Sequence, residues 1–324
     1  MGKNDLKQRW GDESMSTLRG RIRAAIYEKR KLEDVEGILY INGKADLRGL
    51  PFQAQANIDL SGSLLENADL SQCDLSNMTI ERATFKACLF ENANFSGTTL
   101  AGVEIIDSTF LKSTLKNGRT KNSSEKKDDG FMKGVTFTEC DLSKYEFSPI
   151  IADKCLFEHC RFSETFINAR LSNTQFIGKI EDSWFRGFPW RGTEKLSLLD
   201  KLFSPKRDPK KRNRMVNVDL SKAQLHGVFF SDGIDLSTTI FPQQDDYFRV
   251  DNFSQVFKKV KEKITSEWES PYKERALLAL DRHFFDGHKT DMEIDFIYTG
   301  FEFTGLAPDF KKRFFDLIKE INNT

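Results

Sequence analysis

From residue 60 to residue 115 every fifth position is Leu, Ile or Phe: Leu60, Leu65, Leu70, Leu75, Ile80, Phe85, Phe90, Phe95, Leu100, Ile105, Phe110 and Leu115. An α-helix brings its apolar face round every ~3.6 residues and a strand every second residue. Neither produces a strict period of five. That period requires a backbone that turns a corner every five residues and winds into a solenoid.

Two residues before each of these centres lies a second, mostly small residue: Ile58, Ser63, Ala68, Cys73, Met78, Ala83, Cys88, Ala93, Thr98, Val103, Ser108 and Ser113. A small residue lets the backbone turn inward and the large one fills a narrow axis at crystal-like density. The other three positions are mainly Asn, Asp, Glu, Ser, Lys and Gly, which suits an outward surface. The expected core therefore includes Leu70, Phe85, Phe90, Phe95 and Phe110, and further along Phe157 and Phe162, with Cys140 and Cys160 in the small inward slot.

The pattern A-(D/N)-L-x-x, as in Ala68-Asp69-Leu70 and Ala93-Asn94-Phe95, resembles the pentapeptide-repeat family. The resemblance implies a mainly β fold: a right-handed quadrilateral β-helix with one pentapeptide per side and about four per coil. The phase extends in both directions. Ala45-Asp46-Leu47 and Phe52 precede the main block after a slip. Phe137, Leu142, Phe147, Phe157, Phe162, Leu171, Phe176 and Phe185 follow it, with a second slip near Phe166. Leu220, Leu225, Phe230 and Ile240 form the last set. Six or seven coils at the ordinary strand spacing predict a rod of roughly 30 Å. Residues 116–130 lack an apolar residue in phase and read as a polar insertion. Residues 186–214 read as a longer one, apolar at first, with a short amphipathic helix at 193–203 and a Pro-broken basic end at 204–214.

The ends differ from the middle, as a solenoid's caps must. Residues 14–31 carry Leu18, Ile22, Ala25 and Ile26 at helical spacing, with Ser14 or Ser16 as candidate N-cap. Residues 254–268, 271–285 and 308–321 read as three amphipathic helices. The expected layout is a helical N-terminal cap at 1–44, a β-helix at 45–240 and a small helical unit at 241–324, whose helices are a candidate homodimer interface. Arg9-Trp10, then Ala45-Asp46-Leu47-Arg48-Gly49-Leu50-Pro51, then Val218-Asp219-Leu220-Ser221-Lys222-Ala223 resemble a bacterial group of the same family without an assigned function.

No run approaches the ~18 apolar residues of a membrane span, and no apolar segment follows Met1 as a secretory signal would require. The expected compartment is the cytoplasm. All five cysteines fall in the inward slot, where a free thiol packs as a small hydrophobe, and no C-x-x-C occurs. His159, His226, His283 and His288 show no ligand spacing. Nucleotide-binding, metalloprotease and nucleophile-elbow motifs are missing. The expectation is no enzyme, no cofactor and no metal.

Net charge is zero but uneven: residues 45–115 carry nine acids and four bases, residues 186–214 ten bases and three acids. Three functions stay open. The leading one is a non-catalytic cytosolic scaffold that binds another macromolecule, most readily a protein, through the coil faces or the insertions. The second, implied by the resemblance, is a DNA mimic that binds gyrase. The third is a nucleic-acid binder that meets phosphates with Lys206, Arg207, Lys210, Lys211, Arg212 and Arg214.

Overall fold

The computed structural model describes residues 6, 8–52, 58–123, 129–188, 212–231, 233–280, 294–299 and 308–324. The repeats wind into a four-sided β-helix. Three sides are sheets of nine, seven and six short strands, and the fourth is a column of single bridges such as Asp74–Asn94–Thr114–Asp141–Arg161. The sides are numbered here in chain order: side one passes through Phe90, side two Phe95, side three Leu100 and side four Ile105. Side one holds eight parallel strands, one or two coils more than the repeat series predicted, so the rod is roughly 34 Å long at the usual strand spacing.

Each coil sends four large side chains to the axis, and equivalent residues stack. Phe90, Phe110, Phe137, Phe157 and Phe176 align on side one, with successive ring centroids 4.5, 4.7, 4.8 and 4.8 Å apart. That is the strand spacing itself: the rings stack because the ladder places their Cα atoms in register. Leu70, Phe85, Phe95 and Phe162 are buried in the same axis.

The corners obey their own rule. The residue two past each centre has positive φ, in the run Asn67, Gln72, Asn77, Arg82, Ala87, Asn92, Gly97, Gly102, Asp107, Lys112 and Asn117. Asn, Asp and Gly tolerate this left-handed region best, which explains their frequency there. At Gly134 (φ +63°) a Cβ would lie 2.4 Å from the Asp107 Oδ1 below it, so any other residue there would have to displace that carboxylate. The slot residue has a polar duty as well as small size. Its side chain donates to the carbonyl of a centre one coil back: Thr98 to Leu75 at 2.6 Å, Ser113 to Phe90 at 2.8 Å, Cys88 to Leu65 and Cys160 to Phe137 both at 3.3 Å. Small residues that carry a hydroxyl or thiol recur in the slot because these buried carbonyls need donors.

The interruptions are smaller than their composition suggests. Residues 116–121 do not leave the coil: Arg119–Lys121 is a strand of side three, and buried Thr120 occupies the axial position above Leu100. The first insertion begins only after it. Met132 pairs with Ile105, twenty-seven residues back instead of twenty, so this coil is seven residues longer than the one before it. Its hydroxyl hid Thr120 from an apolar pattern. Near Phe166 the axial residue is Ile167, and Leu171 follows after four residues instead of five. The second insertion ends before Asn213, because Asn213 and Met215 are already buried in the coil. Ile240 is not a centre: it is 56% exposed and bridges Asp219, which puts its neighbour Phe241 level with the centre Leu220.

The N-terminal cap is built on an ion cluster. A short turn, Arg9–Gly11, leads into helix α1, Ser16–Tyr27. Neither serine caps α1, whose N-cap is Met15; the Asp12 carboxylate accepts the Ser14 N–H in the turn before it. The Arg9 guanidinium bonds the Asp46 carboxylate at 2.6 and 2.8 Å, Arg48 bonds the same carboxylate at 2.8 and 3.0 Å, and Trp10 Nε1 donates to the Arg48 carbonyl at 2.7 Å. Burial by itself would raise the Asp46 pKa, but the two guanidiniums outweigh it and hold the carboxyl well below the usual range. This cluster gives the Arg9-Trp10 and Asp46-Leu47-Arg48 segments their physical link.

At the other end, α2 (Phe253–Glu267), α3 (Tyr272–Ala279) and α4 (Pro308–Asn322) form as the periodicity predicts. Phe284 lies outside the described residues. The unit is not purely helical: Tyr247–Asp251 pairs antiparallel with Ile294–Tyr298. These short strands went unread because a small core shared with helices imposes no clean alternation. Phe296 stacks on Phe241 at 4.2 Å and meets Phe230 edge-on at 6.4 Å, which closes the axis.

Candidate functional site

The outward surface of the coil cancels much of its own charge. Cross-coil ion pairs join Glu66 to Lys86 (2.6 Å), Lys112 to Glu139 (3.8 Å) and Lys144 to Glu164 (3.4 Å). The acids of residues 45–115 are dealt to all four sides: Asp69 and Glu91 lie on side one, Asp74 on side two, Glu81 on side three and Glu104 on side four. They form no single stripe. Several carboxylates serve local turns, as Asp69 and Asp74 accept the N–H of Ser71 and Ser76.

Side three ends in aromatic residues. Its outward positions before each centre begin polar, with Thr79, Thr99, Arg119 and Glu146, and end aromatic with Trp184 and Phe229. Trp184 and Phe229 are half-buried and stack at 5.8 Å with their planes 19° apart. The polar-outside rule had assigned such positions to solvent; the signal was their departure from it. Beside this column lies the root of the basic segment. The Asn213 N–H donates to the Gly187 carbonyl at 2.7 Å, and Asn213 Oδ1 accepts the N–H groups of Leu171 and Met215. The two ends of the segment are thus pinned together against the coil.

Of the six basic candidates, Lys206, Arg207, Lys210 and Lys211 lie outside the described residues. Arg212 is half-buried and donates through Nε to the Gly233 carbonyl, so it anchors the frame. Arg214 is exposed.

Cys73, Cys88, Cys140, Cys155 and Cys160 are all buried free thiols. Burial pushes Cys73 and Cys155 up to about 12 and Cys88 to about 11. Cys140 and Cys160 share a hydrogen bond, and donation to Cys140 together with burial raises Cys160. Accepting that bond lowers Cys140, but all five thiols are buried away from solvent. Among the described residues no three His, Cys, Asp or Glu side chains converge as metal ligands, and no helix is long and apolar enough to cross a membrane.

The family model described as pentapeptide repeats (8 copies) matches residues 56–77. With twenty-residue coils stacked in register around that match, the assignment is decided. The chain is a pentapeptide-repeat protein. Among solved structures it is similar to HetL, a pentapeptide-repeat protein involved in heterocyst differentiation regulation from the cyanobacterium Nostoc sp. strain PCC 7120. The identity is 13% over 68% of this chain and 93% of that one, with TM-score 0.27. It is also similar to full-length QnrB1, a plasmid-mediated fluoroquinolone resistance protein, at 16% identity over 57% of this chain and 91% of that one, with TM-score 0.23. No curated protein sequence matches the chain.

Proposed function

We propose that this pentapeptide-repeat protein is a non-catalytic cytoplasmic scaffold that binds another protein on the aromatic end of side three. The observation that carries the reading is the stacked, half-buried Trp184–Phe229 pair on an outward column whose first four positions are polar. Aromatic side chains at a partly solvated surface supply large contact area at low entropic cost and are enriched in protein interfaces. The rigid coil fixes their spacing before a partner arrives, which lowers the ordering cost of binding. Against gyrase binding by DNA mimicry stands the dispersal of the acids of residues 45–115 over four sides, one of which, Glu66, is also paired with Lys86 of the next coil.

The test is affinity capture with the full chain and with a Trp184→Ser/Phe229→Ser double variant of matched thermal stability. One protein should be retained by the wild type and lost by the variant. Equal retention by both removes this surface from the reading, and failure of the wild type to retain any protein removes the scaffold itself. A heparin column with Lys206, Arg207, Lys210, Lys211 and Arg214 changed to Ser, Arg212 kept, tests nucleic-acid binding. Phosphate contact requires salt-dependent retention that the variant loses.

A further inference from the structure

The two ends of the β-helix are finished differently. At the C-terminal end, side chains stand in for the strand that a further coil would supply. The Gln244 amide accepts the Leu225 N–H at 2.8 Å and donates to the Leu225 carbonyl at 3.1 Å, and the Tyr247 hydroxyl does the same for Val228 at 2.8 and 3.3 Å. The last edge is thereby blunted against pairing.

At the N-terminal end side one stops in a hairpin, Tyr40–Ile41 against Lys44–Asp46, around Asn42 and Gly43, both with positive φ. Asp46 N–H donates to the Leu39 carbonyl, so Leu39 and Asp46 are a hydrogen-bonded pair and Tyr40 and Ala45 are not. The Ala45 N–H accordingly turns to the next strand, where it meets the Asn67 carbonyl. The Tyr40 N–H and carbonyl therefore face the open edge.

The same end gathers five of the nine large apolar side chains exposed among the described residues: Tyr27, Leu39, Tyr40, Ile41 and Leu64. Leu39 is 66% exposed and Tyr40 47%. By contrast α2 and α4 have already buried Val256, Phe257, Val260, Phe314 and Ile318 within the chain.

We propose that this edge is a homodimer interface, in which Tyr40 of one copy pairs antiparallel with Tyr40 of a second across a two-fold axis. A strand with one outward-facing residue at its middle is complementary to itself: the two Tyr40 residues exchange N–H···O bonds and Leu39 meets Ile41 of the other copy. Charge does not oppose an identical partner. Arg21–Glu36, Arg30–Glu28 and Lys31–Glu33 are already paired within the chain, so these charges do not repel their own copy. Apolar cover then comes from the five exposed side chains, and side one continues through the axis as one sheet.

Sedimentation equilibrium of the full chain, from micromolar to hundreds of micromolar, tests this. Tyr40→Pro removes the outward N–H without touching a hairpin bond, a substitution that an edge strand tolerates. It should leave the thermal midpoint in place and weaken dimerisation at least about tenfold, the loss expected for two ~1 kcal/mol hydrogen bonds. Leu39→Lys should act in the same direction through the apolar contact, and it decides the matter if the proline variant does not fold. A monomer at every concentration overturns the proposal. So does a dimer that persists in Tyr40→Pro and Leu39→Lys but is lost on changing exposed Leu278 of α3 to Lys.

Discussion

A buried thiol in this coil is a donor, a spacer and a titration switch at once. Cys73, Cys88 and Cys155 have native pKa values raised by burial, whereas in the unfolded chain a thiol ionises near about 8.5. A raised native pKa favours the protonated folded state. Its contribution is fully present below the unfolded pKa and lost as pH climbs towards 11–12. Each thiol should therefore remove about 1.4 kcal/mol per pH unit in that window. Alanine already occupies the slot at Ala68, Ala83 and Ala93, so Cys→Ala at these three positions should fold. Urea denaturation at a series of alkaline pH values should show a shallower loss of stability in the triple variant than in the wild type. Parallel curves would mean that the thiols are not shielded.

At the scale of the element, the side-one column behaves as a single packed object. Phe90 touches Phe110 above it, and Phe85 and Phe95 edge-on at 5.6 and 5.3 Å within its own coil. Phe90→Ala should cost roughly 3–5 kcal/mol through the cavity it leaves, and Phe90→Leu far less, because leucine fills the same axial position in the coil below at Leu70. Chemical denaturation of the two variants measures the gap. Equal midpoints for Phe90→Ala and wild type would place Phe90 outside the core. Most of its strands span two or three residues and gain little individually; they persist because every rung is stacked.

For the whole molecule the decisive places are its ends, where stacking runs out. The Arg9–Asp46–Arg48 cluster seals one end and Gln244, Tyr247 and Phe296 seal the other. Gln244→Ala should leave the Leu225 N–H and carbonyl without their partner and cost about 1–3 kcal/mol, read as a lower urea midpoint. An unchanged midpoint would show that water replaces the amide without loss and that the edge needs no cover.

Period and polarity alone determined the coil. A five-residue repeat has one physical solution, and the alternation of small slot, large centre and polar corner fixes which atoms face the axis. The three helical stretches near the end were legible for the same reason: each carries an apolar stripe at helical spacing. The tertiary structure decided everything that depends on how many residues separate two coils. Trp184 and Phe229 are neighbours because the chain leaves the coil at Gly187 and re-enters at Asn213 in register, and no local pattern records that count. Thr120 holds an axial place only because Leu100 lies beneath it. Arg9 reaches Asp46 thirty-seven residues away, and Tyr40 has an open edge only because Ala45 turns its N–H to Asn67. Hydrophobic periodicity is a property of neighbours in sequence, whereas register between coils is a sum over every insertion and deletion along the rod.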